Sequence, residues 1–416
     1  MPGGERFGPL KERQFRLLWF ARTGSSIGDS LIPVALIFSV YRIHGTVTDV
    51  GLVFACYFAA GAAVTLVGGV LADRLPRRVV MIAADLIRLV TQATTAVLLI
   101  GGTMHLWQLA VLQSIAGACG GLFSPASTAL IPQTVSAGRL QQANALLALS
   151  RSATNVFGPA VAGVIVAAAG PGWVFAIDAG SFLVSVLFVA AMRAEAPIRS
   201  ATGHFWSELL DGWREVRRHR WLTAGFTGLA IANLGVGMYI VLGSAVARDD
   251  LGGAVPWGFI LGAAAVGSVL GGLVSYRIKP QRPVAAAFGI WVLMALPAFS
   301  LIRPFPLPVV MAAAVVFGVS VVIGNVLWDT AMQREVSPER LARVASFDVL
   351  LSLGLLPVGY IIAGPVSVVL GVPAALLLAG ACICIPNLGV VLFVRDVRAV
   401  RGATAPLRPS AAARRG

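Results

Sequence analysis

Gly69-Val-Leu-Ala-Asp73-Arg74-Leu-Pro76-Arg77-Arg78 is a short charged stretch set between two long apolar runs, 48–72 and 79–101. Each run is long enough to cross a hydrocarbon layer of about 30 Å at about 1.5 Å per helical residue. The charged stretch is therefore a turn at a membrane surface. Working outward, the same alternation repeats: apolar spans at 15–42, 104–128, 142–168, 172–192, 221–246, 255–276, 284–302, 307–330, 344–368 and 372–394 complete a set of twelve. Of the 32 Lys and Arg residues, only Arg42, Arg248 and Arg303 fall at odd-numbered loops, and Arg22, Arg88 and Arg151 lie within spans. The rest sit in the N-tail, the even-numbered loops and the C-tail. Basic residues resist translocation, so that side reads as the cytoplasm. The expectation is an all-α integral membrane protein of 12 transmembrane helices in the cytoplasmic (inner) membrane, both termini cytoplasmic.

Composition points the same way. The chain is 57% hydrophobic and 12% charged, with a mean hydropathy of +0.85, against about 25% charged residues in a soluble domain. The net charge of +14 reads as loop cations facing an anionic leaflet, with membrane lipids as partners and no nucleic acid. Cys56, Cys119, Cys382 and Cys384 all lie in spans and behave as small apolar groups. His44, His105, His204 and His219 are scattered in loops without metal-ligand spacing, so no metal is expected. No phosphate-cradling Gly-Lys-Ser/Thr loop is present, and no cofactor is implied. The first apolar stretch is too long for a signal peptide and is read as helix one.

The longest interruption, 193–220, carries Ser207-Glu-Leu-Leu-Asp-Gly-Trp-Arg-Glu-Val-Arg-Arg-His-Arg220, with Leu209, Trp213 and Val216 on one face. It predicts a short amphipathic helix on the leaflet. It divides the chain into a six-helix bundle at 1–192, a linker at 193–220, a second bundle at 221–394 and a basic tail at 395–416. The halves echo each other. Gly68-Gly-Val-Leu-Ala-Asp-Arg74 recurs as Gly271-Gly-Leu-Val-Ser-Tyr-Arg277, and Val135-Ser-Ala-Gly-Arg-Leu140 as Val336-Ser-Pro-Glu-Arg-Leu341, each about 200 residues on. Two pseudo-symmetric bundles imply a site between them near the midplane.

The Gly69 to Arg78 stretch resembles the signature of the major facilitator superfamily: Gly, three residues, Asp-Arg, two residues, then paired basic residues. The likeness covers the whole chain, including the weaker second copy at Gly272 to Arg282. Gly158-Pro159-Ala-Val-Ala-Gly163 in span five is similar to the Gly-Pro core of the antiporter motif of drug exporters. Phe15-Arg-Leu-Leu-Trp19, Gly28-Asp29, Phe123-Ser-Pro125-Ala126, Ala143-Asn144 and Gln333-Arg-Glu-Val336 resemble the branch that includes enterobactin exporters and macrolide efflux proteins. There are departures. Pro76 stands where a glycine is usual, and Gln113 is the polar residue of span four where drug antiporters often carry arginine.

With the motif in place, Gly69 lets spans two and eleven approach. Asp73 is a candidate latch on one of two states, accepting from Arg77, Arg78 or the N-terminal amides of span eleven. Arg74, Arg77 and Arg78 complete the gate or fix topology. Asp85 and Arg88, near the cytoplasmic end of span three, are expected to pair with each other and with the Asp73 cluster as gate structure.

Ionisable groups within spans are costly and mark function. Arg22, Ser25, Ser26 and Asp29 form one polar stripe on span one. The resemblance implies that spans one, four, seven and ten line the cavity. Asp29 is the leading candidate for proton coupling or substrate charge, or else pairs structurally with Arg22 or Arg151. Arg151 and Asn155 are one turn apart on span five. Gln113, Asn233, Asn325 and Trp328 are candidate contacts, with Trp291 a further stacking candidate. Asp178, Ser181 and Ser185 on span six read as structural, and Asp348 with Ser352 as close to the rim. Trp19, Trp107, Trp173, Trp221 and Trp257 read as membrane-belt tryptophans. Gly258, Gly262, Gly267 and Gly271 predict close packing of span eight.

The expected function is secondary active transport: proton-coupled export of an amphipathic organic compound such as a drug, macrolide or siderophore. The partners are a small-molecule substrate and protons, and the unit is a monomer. An importer or lipid mover of the same fold, or a transport-inactive sensor or assembly partner, is the alternative. An enzyme would need a nucleophile–base set or metal ligands at one depth, and the sequence presents none.

Overall fold

The computed structural model describes residues 8–72, 76–193, 216–336, 344, 347 and 354–400. Among them are eleven helices long and apolar enough to cross a membrane, and one shorter apolar helix. In chain order they are α1 (Arg13–Arg42), α2 (Val47–Ala72), α3 (Arg77–Ile100), α4 (Leu106–Thr134), α5 (Leu140–Ala169), α6 (Pro171–Ala190), α7 (Arg220–Asp249), α8 (Ala254–Ser275), α9 (Pro283–Ser300), α10 (Leu307–Glu335), α11 (Leu356–Leu370) and α12 (Val372–Phe393). A five-residue α13 (Arg395–Ala399) follows. The described residues contain no strand.

Local chemistry sets several of the boundaries. Thr46 and Asp49 cap α2 reciprocally: the Asp49 amide donates to Thr46 Oγ1 at 3.3 Å and the Thr46 amide to Asp49 Oδ2 at 2.7 Å. Gly170 (φ +93) and Gly371 (φ +80) make one-residue turns between α5 and α6 and between α11 and α12. Only glycine enters that backbone region freely, and the two turns stand at equivalent places in the two halves. α9 is not continuous: Val292–Ala295 is a 3-10 turn ahead of Pro297, whose ring cannot continue an α-helical ladder.

Packing reveals the symmetry. α1 packs on α5 and α6, α2 on α4, and α3 on α4; six helices later, α7 packs on α11 and α12, α8 on α10, and α9 on α10. The halves meet through α2 against α11 and α5 against α8, pairs that exchange under the same shift of six. Both contacts are backbone-close. A Cβ on Gly51 would run into the Tyr360 carbonyl, 2.8 Å from its carbon, and one on Gly258 would lie 3.0 Å from the Pro159 carbonyl carbon. Pro159 and Ala160 of span five thus bear against the other half, while Gly158 lets α5 close on Ser30 of α1.

The apolar cores show where the halves are joined. One core runs through Leu31 to Val40, Val50 to Ala55, Met238 to Ala247, Trp257, Ile260, Tyr360 and Ala363, drawing on both halves. It lies at the distal end, away from the chain termini. Tyr41 shares a 3.2 Å hydrogen bond with Ser244 there, the Arg248 guanidinium sits 4.2 Å over the Tyr41 ring, and Phe54 and Phe58 meet Tyr360, each with centroids 5.5 Å apart. At the terminal end, among the described residues, each half keeps its own core: Phe15, Leu18, Met81, Phe123 and Leu130 in the first, and Trp221, Phe226, Phe288, Trp291 and Trp328 in the second.

The first copy of the repeated Val-Ser-x-x-Arg-Leu motif has a structural use. The Ser136 hydroxyl and amide donate to the Glu12 carboxylate at 2.8 and 2.9 Å, and Arg139 lies 3.3 Å from it. The Ser136 hydroxyl, more than any other neighbour, holds the Glu12 carboxyl below its ordinary range, although partial burial works the other way.

One expectation needs correction, and one falls largely outside the described residues. Trp257 is fully buried and Trp221 only 5% exposed; both fill cores and neither belongs to a belt, whereas Trp107 and Trp173 are exposed as a belt requires. The linker helix read at 207–220 lies outside the described residues apart from 216–220, where Val216 is buried in the core of the second half.

Candidate functional site

The site grows from one face of α3. Asp85, Arg88, Gln92 and Thr95 follow each other at helical three- and four-residue steps, and all are buried. Leu86, Ile87, Val90 and Val97 occupy the other face and are exposed. The helix is polar inward and apolar outward, as a lipid-facing helix must be when it carries charges.

Arg88 is the hub. It forms an ion pair with Asp29 on α1, its Nη1 stands 3.9 Å from Asp85 Oδ1, and its guanidinium lies 3.9 Å over the Phe182 ring of α6. The Ser185 hydroxyl donates to Asp85 Oδ2 at 2.5 Å. A second chain runs alongside. Gln113 Nε2 donates to Gln92 Oε1 at 2.9 Å, and Gln92 Nε2 donates to Asp178 Oδ2 at 2.8 Å. Asp85, Gln113 and Asp178 are fully buried, while the Asp29 side chain keeps 42% of its surface exposed. Asp29 and Asp85 thus share a single guanidinium, with Asp178 nearby on the Gln92 chain, in a low-dielectric interior where unlike charges bind strongly and surplus like charge is costly.

Some atoms in this cluster are unspent. Asp85 Oδ1 and Arg88 Nε are buried with no hydrogen-bond partner among the described residues. A small swing of Arg88 from Asp29 towards Asp85 would satisfy both. Two partners for one guanidinium is what a switch between two arrangements requires.

The other sequence candidates are dispersed. Arg22 and Ser25 share the α1 stripe, and Arg22 Nη1 and Ser25 Oγ have no hydrogen-bond partner among the described residues. Arg151 and Asn155 are exposed on α5, and Asn325 on α10. Asn233 is half-buried and donates to the Leu229 carbonyl at 3.1 Å. Asp29 pairs with neither Arg22 nor Arg151; its partner is Arg88.

The gate reading changes in part. Asp85 and Arg88 join Asp29 and α6 through the contacts above, deep between α1, α3 and α6. Arg77 donates to the Ala129 carbonyl at 2.7 Å, and Arg78 to the Val189 carbonyl at 3.0 Å and the Ala190 carbonyl. Arg78 thereby caps the C-terminus of α6, where a cation is favoured, and both arginines bind within their own half. Asp73 and Arg74, with Asp348 and Ser352, lie outside the described residues, as do the surroundings of Gly69.

Trp291 and Trp328 are packed in the core of the second half. Each is 2% exposed, and Trp328 is ringed by Trp221, Phe226, Phe288 and Trp291 at centroid distances of 5.4 to 6.3 Å. Trp328→Ala is expected to cost about 3–5 kcal/mol of stability through the cavity it leaves, with the apparent KM of the surviving protein unchanged. Thermal unfolding beside transport kinetics checks this; a raised KM at full stability would return Trp328 to the substrate site.

Sequence reading missed Gln92, Thr95 and Phe182. The signal was there: Asp85, Arg88, Gln92 and Thr95 hold one helical face of an otherwise apolar span.

Comparisons with known proteins agree with this architecture. A family model described as Major Facilitator Superfamily matches residues 18–353. The chain is 28% identical over 382 residues to the multidrug efflux pump Tap of Mycolicibacterium fortuitum, covering 87% of this chain and 91% of that protein. It is 22% identical over 386 residues to macrolide efflux protein A of Streptococcus pyogenes, covering 89% and 93%. A solved peptide transporter POT in complex with alafosfalin superposes with a TM-score of 0.75 at 12% identity, over 93% of this chain and 95% of that one. That last likeness speaks for the fold alone.

Proposed function

The chain belongs to the Major Facilitator Superfamily, and on that premise we propose that it is a proton-driven exporter of an amphipathic organic compound at the cytoplasmic membrane. The observation that carries this reading is Asp29: an exposed carboxylate on α1 that shares its arginine with the buried Asp85. A proton on Asp29 cancels its hold on Arg88, and Arg88 then has Asp85 Oδ1 within 3.9 Å. An organic cation at Asp29 competes with Arg88 in the same way. Proton and substrate thus use one carboxylate by turns, which is the minimal device for antiport. The surplus of carboxylates favours cationic substrates. The names of the relatives, a multidrug efflux pump and a macrolide efflux protein, support export of drug-like molecules.

The charge distribution supports cytoplasmic termini, and on that reading the core joining both halves lies on the outer side. The arrangement supports an inward-facing state. Asp73, in the signature turn, remains the proposed latch of the opposite state.

The test is accumulation of ethidium in cells with and without the protein. Expression should lower accumulation, and an uncoupler should abolish the difference. Asp29→Asn should raise accumulation to the level of cells lacking the protein, while the variant inserts and folds normally. Accumulation that falls on uncoupling would mean import, and full efflux by Asp29→Asn would remove Asp29 from the mechanism.

A further inference from the structure

We propose that Asp178 on α6 is a second proton-carrying residue, which holds a proton in this conformation and exchanges it with Asp29. The inference deepens the proton-driven reading above and rests on it.

Asp178 is fully buried. Its carboxyl receives one neutral donor, Gln92 Nε2 at 2.8 Å to Oδ2, and the Ser181 hydroxyl oxygen stands 3.4 Å from Oδ1. Among the described residues no Lys, Arg or His comes within 4.0 Å of it, whereas Arg88 pairs with Asp29 and Asp85. A bare carboxylate without a cation inside a membrane bundle is costly, and a carboxylic acid there is not. Gln113 donates to Gln92 and so turns the Gln92 amide nitrogen towards Asp178. Oδ2 is therefore an acceptor, and the proton falls to Oδ1. The Ser181 hydroxyl spends its own proton on the Asp178 carbonyl at 2.7 Å and keeps lone pairs for Oδ1.

Oδ1 also lies towards α1. A Cβ on Gly28 would collide with Asp178 Oδ1 and Ser181 Oγ and come within 3.1 Å of the Asp178 Cα. The acid is pressed against the residue preceding Asp29. The charged and titratable groups around it are Asp29 on α1, with Arg22 two turns back, and Asp85 and Arg88 on α3. Tyr57 on α2 lies within electrostatic reach, and α5 contributes Arg151, exposed. Exchange is balanced: the O–H bond on Asp178 breaks as one forms on Asp29, the negative charge passes from Asp29 to Asp178, and Arg88 is released from Asp29 towards Asp85. α3 and α6 otherwise scaffold the half, so proton storage is moved off the wall that the substrate touches.

The purified protein in nanodiscs would be titrated by infrared difference spectroscopy, with proton-driven ethidium transport measured in proteoliposomes. The expected result is a protonated-carboxyl band at neutral pH that disappears in Asp178→Asn, shifts in Asp178→Glu and persists in Asp85→Asn. Asp178→Asn should lose gradient-driven transport, and its ethidium affinity should no longer respond to pH as the wild type's does. Asp178→Glu should retain part of the transport, which a loss of packing would not permit. A band that survives in Asp178→Asn, or full coupling in that variant, overturns the proposal. If the wild type ignores a proton gradient, the proton-driven reading fails, and the infrared band still decides whether Asp178 carries the proton.

Discussion

Arg88→Leu should be the most damaging single change in this protein. It leaves Asp29 and Asp85 facing one another with their shared guanidinium gone. Removing one partner of a buried ion pair costs about 3–5 kcal/mol, and here the loss is felt by more than one carboxylate. The expected outcome is a sharp fall in folded yield and thermal stability, with no proton-driven transport from what remains. Arg88→Lys should fold better but transport poorly, because an ammonium lacks the planar fork that spans two carboxylates and lies over the Phe182 ring. Size-exclusion profiles and unfolding temperatures in detergent would check this. A stable, active Arg88→Leu protein would show that the cluster is neither a structural nor a coupling centre.

The second large effect is expected at the seam between the halves. In Gly51→Leu the new side chain meets the Tyr360 backbone, its Cβ 2.8 Å from the carbonyl carbon. Backbone does not yield as a flexible side chain would, so α2 and α11 must separate. The distal closure should then be lost, transport should slow at least about tenfold, equivalent to about 1.4 kcal/mol on the limiting step, and cysteines placed near Tyr41 should become reactive from the distal side. Gly120→Ala is the control: nothing lies within 4 Å of its added Cβ, so it should be silent. Unchanged labelling and rate in Gly51→Leu would mean that the seam does not have to stay shut during the cycle.

The fold was legible because apolar span length and the placement of arginines are bulk properties, readable without knowing any contact. The ion-pair partners were not legible. Asp29, Asp85, Arg88 and Asp178 could each be flagged as costly inside a span, yet which acid meets Arg88 depends on how α1, α3 and α6 are rotated about their axes. Hence Arg88 was read with the gate and Asp178 as scaffold. Gln92 was passed over because an uncharged amide carries little weight until it is seen chained to Gln113 and Asp178. Trp291 and Trp328 show the same limit: depth along a helix says nothing of direction, and both lie buried in the core of their own half. At Gln113 the departure from the arginine usual in drug antiporters now has a physical counterpart, since the buried cation is supplied one helix away by Arg88.

The placement of the cores has a consequence for the surrounding lipid. Among the described residues the body is joined at its distal end and has separate cores at its terminal end, so a change of state that opened one end and closed the other would alter the area taken up in each leaflet. The bilayer does work on that change. Lateral pressure therefore acts on this protein as a further ligand without a binding site: lipids that crowd one leaflet bias the cycle towards the shape that is narrow there. The same chain, with every side chain intact, would turn over at different rates in membranes of different curvature stress.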